Sequence, residues 1–150
     1  MYGDTELIRR RVSELRDQGA DVRALADQLV ARVEGLGWAG RAGEAMQERV
    51  SARAGHLRTA ADQHVAAADA LADHAEAVDG AVEEIAAIEG RTTARIADAR
   101  TRVRAIEARN EGADGVQVTP DPADEALLAF VPPPPAHRDW LTVEIPGPER

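Results

Sequence analysis

Apolar positions in the first part of the chain recur in alternating steps of four and three. Ile8, Val12, Leu15, Gly19, Val22, Ala26, Leu29 and Val33 therefore line one seam of a helix. Asp4 or Thr5 can cap its start, and Glu6 sits near the positive end of the helix dipole. Gly35, the residue type best suited to a left-handed C′ position, marks its end. A helix of roughly 30 residues is about 45 Å long, and with polar residues over the rest of its surface it needs a partner to be stable.

A second seam supplies that partner. Met46, Val50, Ala54, Leu57, Ala61, His64, Ala68, Leu71, Ala75, Val78, Val82 and Ile85 follow the same three-and-four rhythm. The expected arrangement is an antiparallel hairpin with a longer second helix, about 45 residues or roughly 70 Å, which overhangs the first. Beyond Gly90 the pattern persists in Ile88, Thr92, Ile96, Ala99, Val103 and Ile106. Either the helix runs on to about Arg109, or Gly90-Arg91-Thr92 turns it back and a third helix folds onto residues 75–89. One glycine inside a helix costs only about 1 kcal/mol, so both readings stand.

Gly35-Leu36-Gly37-Trp38-Ala39-Gly40-Arg41-Ala42-Gly43 separates the seams. Four glycines allow a tight backbone path, and the indole of Trp38 is placed to cap the open end of the hairpin. After Asn110-Glu111-Gly112 the composition turns to Pro, Gly and acids, as expected of an extended, poorly ordered tail. Asp121-Pro122 followed by Asp124 and Glu125 reads as a helix start, with Leu127, Leu128 and Phe130 as a short apolar turn. Pro132–Pro135 predicts an extended segment, and Trp140-Leu141-Thr142-Val143-Glu144-Ile145 alternates like a strand or a docking peptide. Two of the four aromatic residues lie in this tail, so Leu127, Leu128, Phe130, Trp140 and Leu141 are expected to dock on the overhang or on a partner. The organisation is all-α: a hairpin domain over 1–110 and an acidic, Pro-rich tail over 111–150.

Composition narrows the class. Only 3% of the 150 residues are aromatic and alanine dominates the apolar set, which calls for slim helices that approach closely. The formal charge of −9 argues against nucleic acid, whose phosphates demand a basic face. The acid excess is uneven: residues 111–150 hold eight acids against two arginines, a net of −6, leaving −3 for residues 1–110. All 18 basic residues are arginine, a bias that reads as a GC-rich, actinobacterial coding genome. There is no cysteine, so no disulfide scaffold or thiol chemistry is available. Met1-Tyr2-Gly3-Asp4-Thr5-Glu6 has acids where a signal peptide needs positive charge, and no apolar run reaches the length of a membrane span.

No catalytic, cofactor or metal site is expected. His56, His64, His74 and His137 lack an i, i+4 pair or a His-Glu-x-x-His pattern for zinc. Glu83-Glu84 has no apolar pocket to raise a carboxyl pKa. Gly35-x-Gly37-x-x-Gly40 matches the dinucleotide fingerprint in letters, but a helix rather than a strand precedes it. Arg9-Arg10-Arg11 is neutralised at helical spacing by Glu14 and Asp17, which disfavours membrane-surface binding.

The Trp38-Ala39-Gly40 bend, the amphipathic helix before it and Ala42-Gly43-Glu44-Ala45-Met46 after it resemble the WxG family of ESAT-like type VII secretion substrates, and the related trafficking domains of secreted toxins. The stretch Ala67–Ala75 is similar to the second helices of those domains. The resemblance covers about residues 4–90. The family's Tyr-x-x-x-Asp/Glu signal after the second helix is missing: the only tyrosine, Tyr2, begins such a spacing at the wrong end, and Trp140–Glu144 has the spacing with the wrong aromatic. The resemblance implies a non-enzymatic protein, without cofactor, exported by or partnering in a type VII secretion system. Trp38 and Gly40 would be its recognition residues, and Leu15, Val22, Leu29, Leu57, Leu71 and Val78 its seam contacts. Expected partners are a second copy or a related hairpin, the secretion machinery and a secreted toxin. The alternative is a cytoplasmic coiled-coil adaptor or chaperone for a co-encoded toxin.

Overall fold

The computed structural model describes residues 5–112 and 115–147. In order it contains α1 (Thr5–Gly35), α2 (Arg41–Glu111), α3 (Pro122–Ala129) and a 3-10 turn at Arg138–Leu141, with no strand among the described residues. The fold is all-α with a long helical hairpin. Asp4, one of the two expected caps, lies outside the described residues, as does most of the Tyr2–Glu6 segment.

Alpha-2 is a single helix of 71 residues, so the alternative in which Gly90 turns the chain back is not realised. No proline interrupts residues 41–111 and the seam continues on both sides of Gly90. A Cβ built there would meet nothing within 4 Å, so helix geometry is undisturbed. Thr92, also proposed as part of a turn, is instead buried in the seam, its hydroxyl satisfied by donating to the Ile88 carbonyl at 2.8 Å.

The chain divides into two compact units, Tyr2–Asp79 and Gly80–Arg150. In the first, α1 packs antiparallel on the first half of α2. Val12, Gly19 and Ala26 on α1, and Ala54, Ala61, Ala68 and Ala75 on α2, are buried at seven-residue intervals. Small residues at each repeat bring the backbones together: a Cβ added at Gly19 would stand 3.1 Å from the Ala61 carbonyl oxygen and 3.4 Å from the His64 Cβ. A ladder of ion pairs flanks the seam, Arg9–Asp79, Arg16–Asp69 at 2.9 Å, Arg23–Asp62, and Arg58–Asp27 at 2.7 Å with the signs exchanged. Exposed pairs of this kind contribute less than about 1 kcal/mol each, so their role is register rather than strength. Arg9 is thus held across the hairpin by Asp79, while Arg11 pairs with Glu14 along its own helix.

In the second unit the tail is folded onto residues 85–110 of α2, not extended. Asn110 at the end of α2 donates to the Val118 carbonyl (2.8 Å) and accepts from the Val118 amide (2.9 Å), pinning the chain as it reverses. Asp121 caps α3 by accepting from Ala123 N, with Pro122 in the first turn, as the sequence predicts. The expected strand at 140–145 is not formed, because Trp140 and Leu141 belong to the 3-10 turn. That turn follows from the Trp140 amide donating to the His137 carbonyl at 3.1 Å and the Trp140 indole N–H donating to the Pro134 carbonyl at 3.0 Å.

Candidate functional site

The elbow between α1 and α2 begins where α1 runs out of seam. Leu36 N and Gly37 N bond to the Val33 and Glu34 carbonyls. The left-handed residue is Gly37, with φ +60, rather than Gly35. Gly40 has φ +87 and its carbonyl accepts the Glu44 amide at 3.0 Å, which starts α2. Trp38 lies between these two glycines. It is not a buried plug: the residue is 53% exposed, and its neighbour Leu36 is exposed too. An aromatic side chain this exposed contributes little to the hairpin core.

Gly43 is the elbow residue that sequence reasoning did not single out. A Cβ there would lie 2.8 Å from the Trp38 carbonyl oxygen and 3.1 Å from the Trp38 Cβ, so only glycine lets the first turn of α2 pass under the Trp38 backbone. The signal was present as Gly40-x-x-Gly43, the spacing that puts a second glycine one helical turn on. Met46, placed in the seam by periodicity, is exposed because it stands one turn after the elbow, before the helices close on each other at Val50.

Leu15, Val22, Leu29, Leu57, Leu71 and Val78 are all half-buried on the seam. In this chain the seam is occupied by α1 against α2. Val82, seven residues after the buried Ala75, is exposed.

The tail residues divide. Leu127 and Trp140 are buried, Phe130 is half-buried, and Leu128 and Leu141 are exposed. The polar contacts that hold the tail link residues far apart in sequence. Arg102 grips the buried carboxylate of Asp124 in a two-pronged contact, Nε to Oδ2 at 2.9 Å and Nη2 to Oδ1 at 2.5 Å. The hydrogen bonds to Asp124 raise the Arg102 pKa above the ordinary arginine value. Desolvation opposes this, and the charges of Asp124, Asp98 and Asp121 reinforce it. The arginine therefore keeps its charge at every pH below the arginine range. Glu89 accepts the Ala136 amide at 3.0 Å, and Arg95 donates to the Pro146 carbonyl at 2.7 Å.

Among the described residues no group of three or more His, Cys, Asp or Glu is placed to hold a metal, and no helix is long and apolar enough to cross a membrane. Residues 1–135 match the protein family described as "Putative T7SS secretion signal domain". Among curated proteins and solved structures, nothing matches the chain.

Proposed function

Because the chain belongs to the family of type VII secretion signal domains, we propose that it is a non-enzymatic substrate of such a system, recognised through the elbow of its hairpin. The observation that carries this reading is the 53% exposure of Trp38 at a bend whose geometry is set by three glycines. A buried indole would serve stability; an exposed one held between Gly37 and Gly40 offers a large apolar surface at little entropic cost when a partner covers it. Leu36 and Met46, both exposed near the bend, widen that surface. The likeness of Trp38-Ala39-Gly40 to the WxG bend supports the same assignment.

Partner choice follows from what the fold has already used. The seams are already covered, the first half of α2 by α1 and the rest by the tail, so pairing with a second hairpin or with a co-exported toxin would use outer faces and the elbow. Export would then proceed by a route that reads a folded signal.

The test is export by a host that carries the secretion system. The wild-type chain should accumulate in culture filtrate and vanish from it when the secretion ATPase is deleted. Trp38→Ala should abolish export while leaving helicity by circular dichroism unchanged. Undiminished export of Trp38→Ala would refute recognition through the elbow, and strict retention of the wild-type chain in the cytosol would favour an adaptor or chaperone role.

A further inference from the structure

The four consecutive prolines at 132–135 are the part of the tail that its docking on α2 does not explain. Each ring fixes its own φ near about −65°, and each of residues 131–134 precedes a proline, which holds its ψ in the extended range. Phe130 already stands at φ −68 and ψ 132, and no cis bond occurs among the described residues. Residues 130–135 therefore form a left-handed polyproline II strip of about two turns, about 19 Å long at about 3.1 Å per residue.

Three residues per turn divide such a strip into three ridges. Phe130 and Pro133, three apart, are half-buried and make the ridge turned to the fold. Val131 and Pro134 share a second ridge, Pro132 and Pro135 a third, and all four are exposed, Val131 by 83%. Both ends are fixed. The Phe130 amide donates to the carbonyl of buried Leu127 at 3.3 Å, and the Pro134 carbonyl accepts the His137 amide at 3.1 Å and the indole N–H of buried Trp140 at 3.0 Å. The strip closes in a type II turn, with Pro135 at the second position and Ala136, at φ +56, at the third. A surface held in this way loses little freedom when a partner covers it.

The chemistry of the strip selects the partner. Prolines carry no N–H, and among the described residues no hydrogen bond engages Val131, Pro132 or Pro133. The strip thus offers ring faces and carbonyl acceptors, with the Val131 amide as its one free donor. A sheet edge needs a donor at alternate residues and cannot pair with it. Nucleic acid needs cations, and the nearest arginine, Arg138, lies beyond the turn and beside Asp139. What fits is a protein groove walled by aromatic side chains, with Trp N–H or Tyr O–H groups to meet the carbonyls. We infer that the two outward ridges are a docking strip for an aromatic-lined, proline-reading groove on a partner protein. This contact rests on neither the elbow nor export.

The full-length chain tests it, with an isotopically labelled WW domain that reads uninterrupted proline runs as the probe. Titration followed by NMR should give saturable shifts confined to the aromatic groove of the probe. Pro132→Ala removes two ring methylenes from an outward ridge and should weaken binding about tenfold, with the helical circular dichroism signal unchanged. Pro133→Ala, on the ridge turned inward, should leave the affinity within about twofold. Should Pro132→Ala disturb the fold, Pro134→Ala carries the same test, because the fold uses only the carbonyl of that residue. No binding by the wild-type chain, an affinity indifferent to the loss of an outward ring, or an equal loss in Pro133→Ala would each overturn the proposal.

Discussion

Replacing Gly43 by alanine adds one methyl group where the elbow has no room. The new Cβ would stand 2.8 Å from the Trp38 carbonyl oxygen and 2.9 Å from its carbonyl carbon, and a rotamer change cannot move either atom. The connector cannot simply swing aside, because Gly40 N-terminal to the contact is committed to φ +87 and to the hydrogen bond from Glu44. Overpacking of this kind costs about 1–3 kcal/mol. Against it stands the usual helical gain of alanine over glycine, up to about 1 kcal/mol. Gly55→Ala supplies the control: it makes the same chemical change in the same helix and the same compact unit, with nothing within 4 Å of the added Cβ. It should stabilise by up to about 1 kcal/mol, while Gly43→Ala should be neutral to destabilising by about 2 kcal/mol. The difference between the two isolates the steric cost, about 1–3 kcal/mol. Urea unfolding followed by circular dichroism measures both. A Trp140→Phe background leaves Trp38 as the only tryptophan, so its fluorescence should report a displaced indole in Gly43→Ala alone. If Gly43→Ala gains as much stability as Gly55→Ala, the close passage of α2 beneath Trp38 is wrong, and with it the argument that glycine spacing presents the indole.

Two further outcomes follow from the hairpin. Gly19→Leu must push the Ala61 backbone, which is 3.1 Å from the position of a Cβ, and should lower stability by about 1–3 kcal/mol or more in a thermal melt; a neutral result would mean the helices are not in close contact there. Arg23→Ala removes one exposed rung opposite Asp62 and should cost less than about 1 kcal/mol, with the residual dependence on salt reduced; a loss of several kcal/mol would show that the ladder supports the fold rather than its register.

Much of the hairpin was legible because a helix seam is a one-dimensional property. Every predicted seam position on α1, from Ile8 to Val33, is buried or half-buried, since period and burial are two descriptions of one face. The end of α1 at Gly35 and the start of α3 after Asp121-Pro122 were legible for the same reason: caps are local. Trp38 was legible as a bend residue but not as an exposed one. Exposure depends on how Gly37, Gly40 and Gly43 turn the backbone beneath it, and none of those angles is encoded in the residue it affects. The tail was the least legible part. Asp124 and Arg102 are 22 residues apart, and Ala136 and Glu89 are 47 apart, so no local pattern announces that they meet.

Sequence alone determined that two amphipathic helices exist, where the first ends, that a glycine-rich bend with one tryptophan joins them, and that the rest is acidic and proline-rich. Periodicity and capping act within a few residues, so they can be read without coordinates. Tertiary structure alone decided three things: that α2 continues through Gly90, that the tail docks on the overhang of α2 rather than on a partner, and that Trp38 is left exposed. Each turns on whether contacts between distant residues outweigh a local preference of about 1 kcal/mol, and that balance is struck only when the distant partners are in place.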